Sequence, residues 1–321
     1  MIYLDNFLRE SDSAAVAGHV RPDGDCVGSC LAVYNYIRTW FPEIRADLYL
    51  EPIPEKFAFL KNADRIRQAR AEEDPFVYDL FIALDCADIG RLGDAAGLFG
   101  AAKHTICIDH HVTNAGFADV NEVCPGASSA SELVFSAMNP ERISKEIAVC
   151  LYLGIAHDTG IFRYSCTSAE TMRVAGELMN KGIDFTKLID ETYYIRTYAQ
   201  QKIWGKALLD SQLFLDGTCI YSVVTLEDQD TFGVTAADLD GIVSELRSTA
   251  GVEVSVFLYE SKNGYKISMR SASYVDVAKI AMDFGGGGHV RAAGAFAAGD
   301  PDTIRDSILF KIKEQLCITE S

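Results

Sequence analysis

The chain has 321 residues, with 29 basic and 46 acidic side chains and a formal net charge of −17. This charge argues against a protein that holds long nucleic acid by its phosphates, because such binding needs clustered lysine and arginine. Small phosphorylated ligands remain compatible with it, since bound divalent ions offset the charge locally. The length suits two domains of roughly 100–200 residues each.

The sequence predicts a cytoplasmic protein without a membrane partner. No apolar run reaches the roughly 18 residues that span a bilayer, and the longest run, Ile147 to Ala156, predicts a buried helix. The residues from Met1 to Asp5 show neither a basic region nor a cleavage site, so no signal peptide is expected. The cysteines are scattered without a Cys-x-x-Cys motif, which favours reduced thiols.

The first strong pattern is a strand, a polar loop and a helix. Ala14 to Ala17 is an apolar run that predicts a short buried strand, and apolar residues at helical spacing follow from Val27. His19, Asp23 and Asp25 lie between them, at the carboxyl end of the strand and the amino end of the helix. Open α/β sheets bind ligands at that position.

This loop favours a metal site, although a solvated turn is the competing interpretation. Asp23 and Asp25 lie two residues apart, so their carboxylates point the same way in an extended loop. They repel each other unless a cation lies between them. Proline, aspartate and glycine are also the usual residues of turns, so the loop alone leaves both interpretations open.

Two further predicted strands end in the same residue types. The run from Asp79 to Asp85 is apolar between acids and predicts a parallel strand buried on both faces, and residues 104–108 lead into Asp109, His110 and His111. A later helix runs into Asp158. Residues of metal-ligand type at the carboxyl ends of three separate strands rarely arise by chance.

The remaining elements follow from periodicity and turn signals. We predict a strand over 46–50, helices over 127–138, 144–156, 168–180 and 197–209, hairpins around residues 216–217 and 263–264, and helices over 275–284 and 304–316.

The collected residues predict a pair of divalent ions. They are His19, Asp23, Asp25, Asp85, Asp109, His110, His111 and Asp158. Carboxylates with some imidazole suit manganese or magnesium more than structural zinc. Two ions ~3.5–4 Å apart that share a carboxylate clamp a phosphoryl group and activate a water, so phosphate ester hydrolysis is the favoured reaction.

Each residue also has a simpler interpretation. The alternative for Asp85 is a cap at a strand end, and the alternative for Asp109 is to orient a ligating imidazole instead of binding metal. We favour the orienting role for Asp109. His104 is expected to pack in the core, and His157 to lie at the helix surface or in packing.

The glycines from Gly285 to Gly288, followed by His289, predict a flexible loop whose N–H groups approach an anion. Arg270 and Arg291 could add charged contacts to phosphate. A plain flexible linker is the alternative.

These motifs together resemble the DHH phosphoesterase family. The triplet Asp109-His110-His111 comes with His19-x-x-x-Asp23-x-Asp25, with Asp85 after an apolar strand, and with Asp158-Thr159-Gly160. Gly286-Gly287-Gly288-His289 and Ala292-Ala293-Gly294 resemble the DHH-associated domain.

The resemblance implies an α/β fold in two domains. It implies a doubly wound parallel-sheet catalytic domain over 1–190, a helical linker over 191–210, and a smaller α/β substrate-binding domain over 211–321, with the active site in the cleft between domains. It also implies a homodimer.

The resemblance implies these roles for the site residues. One ion is held by His19, Asp23 and Asp85, and the second by Asp25, Asp85, His110 and Asp158. His111 faces the substrate phosphate as an electrophile or proton donor. Arg270 and His289 bind the terminal phosphate or the nucleotide. The residue pattern itself adds an orienting role for Asp109 and substrate contacts from Gly286, Gly287, Gly288 and Arg291. The expected metal is manganese, with magnesium or cobalt as alternatives.

Within the family, the compact two-domain branch is similar to bifunctional nanoRNases. These degrade short oligoribonucleotides such as 5′-pApA and remove the 3′-phosphate of 3′-phosphoadenosine 5′-phosphate. A cyclic di-AMP phosphodiesterase and a sensor without turnover are the alternatives that stay open.

Overall fold

The structure is a computed structural model that describes residues 2–69 and 76–319. The chain forms two compact units, an N-terminal unit, Met1–Ile195, and a C-terminal unit, Arg196–Ser321. The domain limits expected from the sequence stay predictions.

The N-terminal unit contains a parallel sheet of six strands. The strands are β1 (Ser13–Ala17), β2 (Arg45–Tyr49), β3 (Ile66–Arg67), β4 (Leu80–Leu84), β5 (His104–Asp109) and β6 (Val120–Val123). Their order is β3-β2-β1-β4-β5-β6, and every pair is parallel. The order reverses between β1 and β4, which defines a topological switch point.

Both faces of this sheet are buried. Ala14 and Val16 of β1 belong to one hydrophobic cluster, whereas Ala15 and Ala17 belong to another on the opposite face. Strands covered on both faces lose the alternation of apolar and polar residues, which explains the continuous apolar runs in the sequence. The predicted doubly wound α/β fold is confirmed.

Helices cover the two faces. They are α1 (Leu4–Leu8), α2 (Gly24–Trp40), α3 (Ala96–Ala101), α4 (Ala130–Ala137), α5 (Lys145–Asp158), α6 (Ala169–Met179) and α7 (Phe185–Ile189). Helix α4 is shorter than predicted because the Ser129 side chain accepts a hydrogen bond from Glu132 N and caps it at Ala130.

Helices α2 and α5 cross at two glycines. A Cβ on Gly28 would lie 2.5 Å from the carbonyl oxygen of Cys150 and 3.0 Å from Gly154 N. Only glycine permits this approach. The crossing brings the start of α2, with Asp25, and the end of α5, with Asp158, to the same edge of the sheet.

The C-terminal unit has a mixed sheet of its own. Its strands are β7 (Gln212–Phe214), β8 (Cys219–Val224), β9 (Val254–Ser261), β10 (Gly264–Ser271), β11 (Gly287–His289) and β12 (Ala292–Ala297). The order is β11-β12-β10-β9-β8-β7, and β8 and β9 pair in parallel. Its helices are α8 (Tyr198–Leu209), α9 (Leu226–Phe232), α10 (Ile242–Arg247), α11 (Val277–Met282) and α12 (Pro301–Thr319).

Two expectations from the sequence are wrong. Gly287–His289 form strand β11, paired with β12, and not a flexible loop, because short side chains let the two strands approach closely. His104 is exposed and not packed in the core, since it is the first residue of β5 at the end of the sheet.

Within residues 2–69 and 76–319, no helix is both long and apolar enough to cross a bilayer. The following cysteines have free thiols: Cys26, Cys30, Cys86, Cys107, Cys124, Cys150, Cys166 and Cys219. Cys26 and Cys30 are both buried beside Gly18.

Candidate active site

The predicted metal residues of three loops lie beside the switch point of the N-terminal sheet. His19 follows β1, Asp85 follows β4, and His110 and His111 follow β5. Because β1, β4 and β5 are parallel neighbours, their carboxyl ends meet at one edge. Ligands of open α/β sheets bind at such an edge.

Asp85 is the centre of the cluster. It is 3% exposed, and its backbone has a φ of +54°, which is rare for a residue with a side chain. Its Oδ2 lies 3.4 Å from His19 Nε2, and its Oδ1 lies 3.5 Å from His110 Nε2. Oδ1 has no hydrogen-bond partner in the described residues. A buried carboxylate oxygen without a donor fits a cation.

His19 presents its Nε2 atom to this centre. Its Nδ1 donates a hydrogen bond to the carbonyl oxygen of Val20 at 2.9 Å, so the neutral ring carries its lone pair on Nε2. Burial lowers its pKa, but contacts with Asp23 and Asp85 outweigh burial and raise the pKa above its usual value. The carboxylates of Asp23 and Asp85 thus favour a positive charge at this position. With a neutral His19 ring, a metal cation would supply that charge.

Asp23 lies at the rim. Its side chain is 61% exposed, and its Oδ1 is 3.7 Å from His19 Nε2. The same oxygen accepts hydrogen bonds from Asp25 N and Cys26 N at the start of α2. Capping the helix fixes this carboxylate beside His19.

Asp25, in the first turn of α2, is buried against the first residues of α4. Its Oδ2 accepts a hydrogen bond from Ala130 N at 2.6 Å, and its Oδ1 accepts one from Ser131 N at 2.9 Å. Burial, and then the charge of Asp85, raises the pKa of Asp25 well above its usual value. Each carboxylate oxygen keeps a second lone pair, so both bonds are compatible with metal binding.

His110 and Asp158 face each other across the centre. His110 Nε2 lies 3.4 Å from Asp158 Oδ2. Burial raises the pKa of Asp158 to about 7. Burial lowers the pKa of His110, but Asp85 and the other carboxylates raise it to about 10. In the absence of a cation these acids draw protons onto the ring.

Asp109 orients His111. Its Oδ1 accepts a hydrogen bond from His111 Nδ1 at 2.7 Å, and its Oδ2 accepts one from Asn114 Nδ2 at 2.7 Å. Burial raises the pKa of Asp109, but these two bonds lower it below its usual value. The bond to Asp109 raises the pKa of His111. Asp109 can therefore fix the orientation of the His111 ring, which is the orienting role that we favoured for it from the sequence.

Donor atoms within 4.8 Å of one another form three sets in the described part of the chain. The sets are His19 with Cys26 and Asp85, Asp85 with His110 and His111, and Asp25 with His110 and Asp158. Asp85 and His110 each belong to two sets. The donors are mainly carboxylate and imidazole, which fits manganese or magnesium, and Asp23 belongs to none of the three.

In the C-terminal unit, Arg270 and His289 lie in one row across three strands. Ala292 pairs with Arg270 of β10 on one side and with His289 of β11 on the other. Directly paired residues project from the same face of a sheet, so the two basic side chains flank a small alanine. Arg291 is exposed, and its Nη1 donates to the carbonyl oxygen of Val275 at 2.8 Å.

The glycine run serves packing at two of its positions. A Cβ on Gly286 would lie 2.6 Å from Ala295 Cα, and one on Gly288 would lie 2.5 Å from the Ala292 carbonyl oxygen. A Cβ on Gly287 would meet nothing within 4 Å. Gly286 and Gly288 are therefore explained by the close approach of β11 to β12.

The chain shows similarity to known proteins over most of its length. Residues 13–155 match the DHH family, N-terminal domain, and residues 216–312 match the DHHA1 domain. A Thermus thermophilus protein named bifunctional oligoribonuclease and PAP phosphatase NrnA is 31% identical, over 94% of this chain and 89% of that protein. The chain belongs to the DHH family. The resemblance predicted from the motifs is confirmed.

Other DHH-family proteins agree. A Bacillus subtilis protein with the same name is 28% identical, over 88% of this chain and 89% of that protein. The crystal structure of an exopolyphosphatase-related protein from Bacteroides fragilis superimposes with a TM-score of 0.91 at 25% identity, covering 99% of this chain and 96% of that chain. These relatives support a hydrolase of phosphoester bonds as the enzyme class.

The structure also adds residues that sequence reasoning about the DHH motifs missed. Asn114 holds Asp109, and the N–H groups of Ala130 and Ser131 hold Asp25. The Cys26 sulfur lies within 4.8 Å of a donor atom of His19 and of a donor atom of Asp85. Only Cys26 left a signal in the sequence, because it directly follows Asp25.

Proposed function

We propose that this DHH-family chain is a metal-dependent phosphoesterase that hydrolyses short oligoribonucleotides, such as 5′-pApA, and 3′-phosphoadenosine 5′-phosphate. The observation that carries the proposal is the buried Asp85, whose two oxygens face His19 and His110 from opposite sides. The names of the Thermus thermophilus and Bacillus subtilis relatives support the substrate class.

In this proposal His19, Asp23 and Asp85 hold one ion, and Asp25, Asp85, His110 and Asp158 hold the other. Asp85 bridges them. Support comes from the 3.4–3.7 Å separations between the imidazoles and carboxylates, which leave room for an ion between each pair. The donor chemistry favours manganese, with magnesium and cobalt as alternatives.

When bound, the two ions would lower the pKa of a water for attack on phosphorus and offset charge on the phosphoryl oxygens. The chain supplies the proton. His111 donates its Nδ1 hydrogen to Asp109, which leaves Nε2 to donate to a phosphate oxygen or to the leaving alkoxide. The hydrogen bond to Asp109 raises the pKa of His111, which favours the protonated ring. Asn114 holds Asp109 in place.

Arg270, His289 and Arg291 are proposed to bind a substrate phosphate. Gly287 has no side chain, so its backbone N–H is proposed to approach the same anion. The row of Arg270, Ala292 and His289 supports this, since two basic groups beside a small residue suit a compact anion. Gly286 and Gly288 contribute by keeping β11 close to β12.

Short substrates also agree with the net charge of −17, which disfavours long nucleic acid. Homodimer formation and a cytoplasmic location stay predictions.

The test is product analysis in manganese with 5′-pApA, 3′-phosphoadenosine 5′-phosphate and cyclic di-AMP offered separately. Rapid turnover of the first two and slow attack on the third is the expected result. Rapid opening of cyclic di-AMP would assign the chain to that second messenger instead. Nucleotide binding without hydrolysis of any substrate would favour a sensor and overturn the proposal.

A further inference from the structure

A cavity of about 190 Å³ lies at the carboxyl ends of β1, β2 and β3, within the N-terminal unit. His19 contributes to its wall, so the cavity adjoins the proposed metal centre. Its volume is below the roughly 300–1,000 Å³ of pockets that enclose drug-sized ligands. It therefore suits one sugar-sized part of a substrate and not a whole dinucleotide.

Hydrogen bonds hold the walls of this cavity in place. Val20 N donates to the carbonyl oxygen of Arg91 at 2.8 Å, which ties the loop after β1 to the segment after β4. Arg21 N donates to Glu51 Oε2 at 2.6 Å, which ties the same loop to the end of β2. The cavity is thus preformed, and filling it requires little ordering of the protein.

The lining combines an apolar base with hydrogen-bond acceptors. Among the lining residues, Leu50, Leu92 and Ala95 are buried, whereas Glu51 and Asp94 are exposed and carry carboxylates. Two carboxylates repel a phosphate but accept hydrogen bonds from hydroxyl groups. The cavity chemistry therefore fits a neutral, hydroxylated group with C–H surfaces, which describes a ribose.

The position of Glu51 points to the same ligand. Glu51 lies just beyond β2, in a sheet with the order 3-2-1-4-5-6. In sheets with this strand order that bind dinucleotides, an acidic residue after the second strand accepts a hydrogen bond from a ribose 2′-hydroxyl. Glu51 Oε2 is occupied by Arg21 N, and the carboxylate has lone pairs left for a hydroxyl.

We propose that this cavity binds the ribose next to the scissile phosphate and that Glu51 accepts a hydrogen bond from its 2′-hydroxyl. Glu51 is then a specificity-determining residue that selects ribonucleotides over deoxyribonucleotides. The inference rests on the proposed phosphodiesterase function, and it adds a sugar-binding site to it.

The test compares pApA with its 2′-deoxy counterpart in the intact manganese-loaded protein, using the wild type and Glu51→Gln. Glutamine keeps an oxygen for Arg21 N but loses the charge. A hydrogen bond to a charged group is strong enough that we expect about a tenfold rise in KM for pApA. KM for the deoxy substrate and bound manganese should stay within twofold, so the ribo-to-deoxy preference falls about tenfold.

Glu55→Gln is the matched control, because Glu55 is exposed and outside the cavity lining. It should leave the preference unchanged. An equal loss on both substrates in Glu51→Gln would show that Glu51 only supports the Arg21 loop, and an unchanged preference would show no sugar contact. Either result overturns the inference. Asp94→Asn provides a second variant among the lining residues, and its preference should fall in the same direction.

Failure of the proposed function gives a different result. A wild type that hydrolyses neither dinucleotide contradicts the phosphodiesterase proposal itself. A wild type that hydrolyses pApA, together with a Glu51→Gln variant of unchanged preference, contradicts only the ribose site.

Discussion

A substitution at Gly154 tests whether the crossing of α2 and α5 positions the proposed metal centre. It lies inside α5, where a Cβ would overlap Ser131 Oγ and lie 2.7 Å from Asp25 Oδ1. The Asp25 carboxylate cannot move easily, because the N–H groups of Ala130 and Ser131 hold both of its oxygens. Gly154→Ala should therefore displace either Asp25 or the start of α4.

The expected magnitude follows from two opposed effects. Overpacking a filled interior costs about 1–3 kcal/mol, while alanine gains up to about 1 kcal/mol in helix propensity. With the full gain from helix propensity, the variant should lose up to about 2 kcal/mol of unfolding free energy, which lowers the melting temperature by up to about 8 °C for a unit of this size. If Asp25 holds metal as proposed, displacing it should also weaken manganese binding about 10–100-fold.

The assay is a thermal melt together with a manganese titration, with Gly176→Ala as the matched control. Gly176 also lies inside a helix, α6, but a Cβ there meets nothing within 4 Å. This control should gain about 0.5–1 kcal/mol and bind manganese normally. If Gly154→Ala behaved like Gly176→Ala, the argument that Gly154 makes room for Asp25 would be wrong.

The other predictions concern Asp85, the hydrogen bond from Asn114 to Asp109, and the proposed phosphate contacts of Arg270 and His289. Asp85→Asn should lose both bound manganese and turnover, as measured by metal analysis and product formation, whereas a metal-independent sensor would bind nucleotide unchanged. Asn114→Ala should lower kcat about 10–100-fold with little change in KM, because Asp109 loses a partner that keeps His111 oriented; normal kcat would contradict this. Arg270→Ala and His289→Ala should each raise KM for pApA about tenfold with normal manganese content, and unchanged kinetics in both would refute the phosphate-binding role.

Much of the fold could be predicted because its signals are local. The apolar runs at Ala14–Ala17 and Leu80–Leu84 indicated strands buried on both faces, and the spacing from Val27 indicated α2. The hairpin at Asn263-Gly264 joins β9 and β10, as this turn sequence predicts. Each pattern depends on backbone preference and on the burial of neighbouring residues.

The glycine run shows where local reasoning fails. Four glycines predict flexibility in an isolated chain, yet Gly287–His289 pair with β12. The pairing depends on the small residues Ala292 to Gly294, which lie on another strand. The prediction that His104 packs in the core was wrong for a similar reason. Its exposure depends on where the sheet ends and not on the residues beside it in sequence.

The candidate donors could be predicted from the sequence, since clusters of aspartate and histidine directly after apolar strands are visible in the linear order. Their arrangement could not, because it depends on which strands lie side by side in the folded chain. The order of the strands places β1 beside β4, so Asp85 faces both His19 and His110. The start of α4 joins the site through the hydrogen bonds that Ala130 N and Ser131 N donate to Asp25, which lies 105 and 106 residues earlier in the sequence. Such contacts leave no local pattern, because they depend on how whole helices and strands pack together.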